Sequence, residues 1–313
     1  MDKNTNNHEI DVTEVDLDSR VANLNRIFDE RGEDIQIRLQ SVWKNNTMLD
    51  GLSVQVAGMN AAPTIYPNEK MLSMSDEELA DEISRILDEN PGRDVDLSFL
   101  MDPEYVMEHV MPKIINAETN MPGIEQNDIA YVPLDDLGFV CVFYLPVPDF
   151  DKDGSTASCT LHFKHLESLD IPIHELYERS LSNIAEDVEF KSMNEVLLGF
   201  IPADGAEIPE DVDELMYVLS NHSKTNGAAA ILSEKVQEMI ADTIGADYWI
   251  IPASINELII VKKGTDPADT SNAETFLEMI KDVNDSQVAV CDLLSYNLYY
   301  HDGTAGLKMI AAA

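Results

Sequence analysis

Apolar and polar side chains alternate along residues 35–42, where Ile35, Ile37, Leu39 and Ser41 stand against Gln36, Arg38 and Gln40. That period of two predicts a half-buried strand. Asn45-Asn46 supplies a turn, residues 52–56 alternate again, and residues 64–66 suit a third short strand. The pattern then changes to helical spacing. Ser75 and Glu78 form a capping box ahead of Leu79, Ile83, Ile86 and Leu87, a stripe that Pro91-Gly92 ends. Asp102-Pro103-Glu104 opens another apolar-faced segment that runs to about Ile115.

Residues 116–126 contain Pro122-Gly123 and no periodicity, which marks a linker. Beyond it, residues 139–145 read as a long apolar strand, with residues 157–163 as its hairpin partner. Ile173, Leu176, Tyr177, Leu181 and Ile184 form a helical stripe, and residues 201–214 an acidic, proline-bearing loop. A second capping box, Ser271 and Glu274, precedes Phe276, Met279, Ile280 and Val283, and residues 293–300 are a last apolar segment.

The densest structural signals lie in residues 215–261. Asn226-Gly227 is the dipeptide best suited to a tight hairpin, so residues 216–219 and 228–232 are expected to pair antiparallel. Ser233 caps a helix through Val236, Met239, Ile240 and Ile244, and Gly245 stands where such a helix ends. Residues 248–251 and 258–261 read as two strands separated at Pro252. The pattern predicts an α+β fold with mixed or antiparallel sheets flanked by helices. A hairpin-then-helix arrangement recurs about three times, without a sequence repeat. The expected organisation is an acidic arm over 1–34 (mobile, or one amphipathic helix), lobes over 35–118 and 127–302, and a frayed tail over 303–313.

Composition narrows the function classes. The formal net charge of −39 repels phosphates, so direct DNA or RNA binding is not expected. Acidity of this degree serves solubility first, and docking of a basic protein partner, or imitation of nucleic acid, second. At 44% apolar content the chain has ample material for a core. No run approaches the roughly 18 residues of a membrane span, and residues 1–12 lack a secretory signal. The odd thiol among Cys141, Cys159 and Cys291 then reads as a set of reduced cysteines in a cytoplasmic protein.

Candidate chemistry is sparse. Loops 220–224 and 254–257 would converge at one end of a sheet, where Asn221, Lys224, Ser254, Asn256 and Glu257, beside His222, form a serviceable ligand-binding set. The competing reading is that such residues bond their own turns. Asp149, Asp151 and Asp153 with Gly154 match the opening of a calcium loop, but its twelfth position is Thr160 and its flanks read as strands, so an acidic hairpin tip is favoured. His162 and His165 on a strand would face opposite ways, which discounts a metal pair. His174 reads as a surface residue. No phosphate loop, nucleophile elbow, HExxH or CxxC is present, so no catalytic residue, metal or cofactor is expected.

Several motifs together are similar to domain-of-unknown-function family 5688, uncharacterised clostridial and gut-bacterial proteins. They include Lys44-Asn45-Asn46, Pro63-Thr64-Ile65-Tyr66, Asp94-Val95-Asp96-Leu97-Ser98-Phe99 and Lys191-Ser192-Met193-Asn194-Glu195. The likeness is strongest at residues 216–221, at Asn226-Gly227-Ala228-Ala229 and at residues 250–257. The resemblance implies a bacterial or phage cytoplasmic origin and brings no activity with it. Members carry His where this chain has Asn256 and Ser where it has Ala253, so a role for that histidine would be lost here. The leading expectation is a non-enzymatic interaction or accessory protein. The alternatives are a ligand-binding protein or enzyme using the two loops, and a nucleic-acid mimic that inhibits a DNA-binding enzyme.

Overall fold

The computed structural model describes residues 17–59, 62–89, 96–148, 157–199, 215–245, 247–264, 271–302 and 306–311. The chain forms two compact units, Met1–Lys44 with Met48–Asp96, and Asn45–Thr47 with Leu97–Ala313. The first unit ends at residue 96, so residues 97–118, expected with the N-terminal lobe, belong to the second.

In the first unit, helix α1 (Leu17–Arg31) precedes strands β1 (Ile35–Lys44), β2 (Thr47–Val56) and β3 (Thr64–Ile65), which form a sheet in that order. Helices α2 (Glu69–Leu72) and α3 (Asp76–Glu89) follow. Alternation in β1 and β2 places Ile37, Leu52 and Val54 in a core with Leu24 and Phe28 of α1 and Leu79 and Ile83 of α3. The Ser75–Glu78 capping box forms as the sequence predicts. Asn25 of α1 bonds both the N–H and the C=O of Ile37, covering part of the β1 edge that would otherwise invite a foreign strand. Within the expected arm, α1 is the amphipathic helix, with Leu24, Ile27 and Phe28 buried.

The second unit begins with α4 (Pro103–His109), β4 (Met111–Asn116), α5 (Ala117–Gln126), β5 (Tyr131–Leu134), β6 (Phe139–Pro146) and β7 (Ser158–Thr160). Strands β4, β6 and β5 form an antiparallel sheet, and β7 also pairs with β6. Strand β6 is central and buried from Phe139 to Leu145, which explains its unbroken apolar run. The prolines of this sheet's flanking strands, Pro112 in β4 and Pro133 in β5, lie where a missing N–H is tolerated.

Then come α6 (Phe163–Leu169), α7 (Ile173–Glu186), β8 (Val188–Ser192), α8 (Met193–Leu198), β9 (Met216–Asn221), α9 (Glu234–Ile244), β10 (Tyr248–Pro252), β11 (Leu258–Lys262), α10 (Ser271–Ser286), β12 (Leu298–His301) and β13 (Leu307–Ile310). A six-stranded sheet runs β13-β12-β10-β11-β9-β8, antiparallel at each pairing. Tyr248 and Ile250 of β10 face the main core, while Trp249 and Ile251 join Ile280 of α10 in a separate cluster.

Four sequence expectations are corrected. Residues 116–126 are helix α5, not a linker, because Asn116 caps it by accepting from Thr119 N–H. Gly227–Leu232 is a buried 3-10 turn, and β9 pairs with β8 and β11 instead. Phe163–Leu169 is helical, so residues 157–163 continue the hairpin only through Thr160. Residues 307–310 of the expected frayed tail pair with β12, Leu298 opposite Ile310. The calcium-loop residues Asp149, Asp151 and Asp153 and the 201–214 loop lie outside the described residues.

Candidate functional site

Strands β9 and β11 are paired neighbours, so the loops that leave them meet at one end of the six-stranded sheet. Asn221, at the end of β9 and fully buried, grips its own loop. Its Oδ1 accepts Thr225 N–H at 3.1 Å and its Nδ2 donates to Thr225 O at 3.0 Å. Asn256 grips the same loop from the other side. Its Oδ1 accepts Asn226 N–H at 2.9 Å, and its carbonyl accepts the Ser220 hydroxyl at 2.8 Å. Ser254 Oγ accepts Asn256 N–H at 3.0 Å, and Ser254 N–H donates to Glu257 O, closing the second loop on itself.

Gly227 stands inside this clasp. A Cβ there would fall 2.5 Å from Asn221 N, 2.6 Å from Ser220 Oγ and 2.8 Å from Asn256 O, so no larger residue fits. The glycine is needed for close approach. Asn226 before it takes the positive φ, +57°. Ala228, Ala229 and Ala230 continue at full burial, small enough for the turn to sit in the core.

Of the five residues predicted to gather, Asn221, Ser254 and Asn256 are brought together, with their polar groups committed to backbone partners. Lys224 is exposed and ion-paired with Glu189 of β8, which Lys191 also meets. Glu257 is exposed, and its carbonyl closes the turn. The sequence did not point to Asp187 and Glu189, because β8 precedes β9 by a long connection. The signal for their nearness is the β8–β9 register, in which Glu189 opposes Ser220 and Val188 opposes Asn221.

Asp187 also meets His222. The His222 Nδ1 lies 2.9 Å from Asp187 O and 3.1 Å from its Oδ1, so in the neutral ring this nitrogen carries the proton and Nε2 the lone pair. Tyr144 lies near this end. Burial pushes its phenol up to about 12, against a hydrogen bond with the Asn226 side chain, and Asp187 adds to the rise.

His162 and His165 do not occupy a strand. His162 is the cap of α6, and its backbone N–H donates to His165 Nδ1 at 3.1 Å. His162 Nδ1 donates to Asn127 O at 2.8 Å. In the neutral rings these bonds put a proton on the outer nitrogen of His165 and a lone pair on that of His162, a mismatched pair for one metal ion. Among the described residues, no group of three or more His, Cys, Asp or Glu is arranged to hold a metal. His174 is exposed, 4.0 Å from Glu175. No helix among the described residues is long and apolar enough to cross a membrane.

A second asparagine clasp surrounds the Asn45-Asn46 turn. Asn45 Nδ2 donates to Cys291 O and Leu293 O, and Asn46 Nδ2 to Val290 O and Leu293 O. Asn120, fully buried, accepts Asn46 N–H at 2.8 Å and donates back to the Asn45 and Asn46 side chains. In Lys191-Ser192-Met193-Asn194-Glu195, Ser192 and Glu195 form the capping box of α8. The motifs at Asn45-Asn46, Ser192–Glu195, Asn226-Gly227 and Asn256 therefore coincide with turn clasps and caps.

Comparison with protein families gives one match, over residues 20–303, to a model described as a family of unknown function, DUF5688. No curated protein and no solved structure matches the chain.

Proposed function

The chain belongs to the DUF5688 family of unknown function, and from that premise we propose that it is a non-enzymatic interaction protein whose exposed carboxylates dock a basic partner. The observation that carries this reading is a pair of carboxylate ladders. Glu234, Glu238 and Asp242 recur every fourth residue on the exposed side of α9, and Glu274, Glu278 and Asp282 do the same on α10. None of the six takes part in an ion pair among the described residues. Like charges at this spacing destabilise a helix by about 0.2–0.5 kcal/mol per pair, so a ladder opposes folding unless something outside neutralises it.

Several of the chain's cations are held by carboxylates outside the ladders. Arg20 pairs with Asp76, Arg31 with Glu77 and Asp81, Arg85 with Glu82 and Glu89, and Lys281 with Asp285. Asn221, Ser254 and Asn256 are likewise committed to backbone and Lys224 to Glu189, which weakens a ligand-binding role for the set that exposed Glu257 completes.

A second reading has one observation in its favour. The Asp187–His222 pair presents an outward Nε2 with a lone pair, the arrangement of a general base.

The deciding experiment is capture of partners by the tagged chain at low and high salt, repeated with Glu234→Gln/Glu238→Gln/Asp242→Asn. A stoichiometric basic partner that high salt releases and the triple variant captures poorly supports docking. A partner indifferent to both, or none, overturns it.

A further inference from the structure

A cleft of about 540 Å³ opens in the second unit where the Asp135–Leu137 turn, α7, α9 and β13 approach one another. Leu137 and Leu307 are among its apolar walls, and its polar groups come from Asp135, Asp136, Tyr177 and Gln237. Among the described residues, no lysine or arginine lines it. Asp135 and Asp136 are exposed and have no ion pair among the described residues. Gln237 Nε2 donates to Ile231 O at 2.9 Å, which leaves Oε1 as the accepting end of the amide.

The turn that carries the carboxylates is fixed in advance. Gly138 N–H donates to Asp135 O at 3.1 Å, with Gly138 at a φ of +68°, and Leu137 O accepts the Tyr299 hydroxyl at 3.0 Å. Burial pushes the Tyr177 phenol up to about 12, so its oxygen stays protonated at neutral pH while keeping lone pairs for an N–H donor.

We propose that this cleft binds a small organic cation, a primary amine whose ammonium meets Asp135 and Asp136 and whose apolar body lies against Leu137 and Leu307. The volume falls within the roughly 300–1,000 Å³ of small-molecule sites. An ammonium offers three donors and needs acceptors, which Asp135, Asp136, Tyr177 and Gln237 can each supply. The net charge of −39 raises the local concentration of any cation, and the apolar walls select those with a hydrocarbon body. The site stands independently of the carboxylate ladders, because its carboxylates belong to a different turn.

The test is calorimetric titration of the full chain at physiological salt with phenethylamine, and with phenethyl alcohol as its neutral counterpart. The expected result is one saturable amine site per chain, with the alcohol about tenfold weaker or more, a difference of about 1.4 kcal/mol. Asp135→Asn/Asp136→Asn weakens the amine by at least about the same factor. Glu118→Gln/Glu125→Gln, which removes equal charge from exposed positions of α5, leaves it unchanged. Amide shifts induced in the unaltered chain fall on residues 134–137 and Leu307, a readout that does not depend on any variant. Absence of saturable binding overturns the proposal. So does equal weakening in both double variants, an alcohol that binds as well as the amine, or shifts that cluster elsewhere.

Discussion

Asn226 donates its backbone N–H to the Asn256 side-chain oxygen at 2.9 Å, across two loops thirty residues apart in sequence. The bond joins the turn after β9 to the turn before β11 and makes each asparagine part of the other's geometry. Removing the acceptor strands a largely buried N–H, which costs about 1–3 kcal/mol. Asn256→Leu is therefore expected to lower unfolding stability by that amount in a urea titration. Asn256→His is expected to recover most of the loss, because the imidazole Nδ1 reaches the place that the amide oxygen holds.

Gly227→Ala inserts a Cβ 2.5 Å from Asn221 N, and that backbone atom has no room to retreat. The expected loss is about 1–3 kcal/mol, the usual result of overpacking. Gly264→Ala, where nothing lies within 4 Å, serves as the comparison and is expected to change the same denaturation midpoint little.

These two positions show what the sequence does and does not disclose. Residues 248–251 and 258–261 were legible as strands because β10 and β11 are rich in β-branched and aromatic residues. The capping box of Ser75 and Glu78 was legible because it is local. Asn226-Gly227 was read as a hairpin, since the dipeptide is favoured there. The structure uses it because tertiary neighbours exclude a Cβ, and no local pattern records that. Helix α5 was hidden by Pro122, and the strand at residues 307–310 by its position near the end of the chain. The convergence of the 220–224 and 254–257 loops could be inferred from the strands. The commitment of their polar atoms to backbone, and the approach of Asp187 and Glu189 from β8, depend on register.

Asn120 is the centre of the other clasp, accepting from Asn46 N–H and donating to Asn45 and Asn46. Asn120→Leu leaves those groups without their partner in a largely buried place. A loss of about 1–3 kcal/mol per stranded group follows, measurable by thermal or urea unfolding. Gln126→Leu, at an exposed position of the same helix, is expected to change little.

Burial, with the neighbouring charge of His162, lowers the His165 pKa below its ordinary value, against the pull of Asp128. Burial also lowers that of His301, against Asp302 and Asp247. Both groups take up protons more readily in the unfolded chain. Their contribution is intact above the unfolded value of about 6.5 and is lost as pH falls through it toward the folded values. Protonation of His165 also removes the lone pair that accepts His162 N–H. Unfolding stability is expected to fall between about pH 7 and pH 5, and His165→Gln to flatten part of that slope. An unchanged slope in the variant would contradict the assignment.

The central claim is that the exposed carboxylates of α9 form the working surface. Its most direct measurement is the affinity of the captured basic partner as a function of salt, for the natural chain and for Glu234→Gln/Glu238→Gln/Asp242→Asn. The account predicts steep weakening with salt in the natural chain and a shallower dependence in the variant. Equal salt dependence in the two proteins would contradict it.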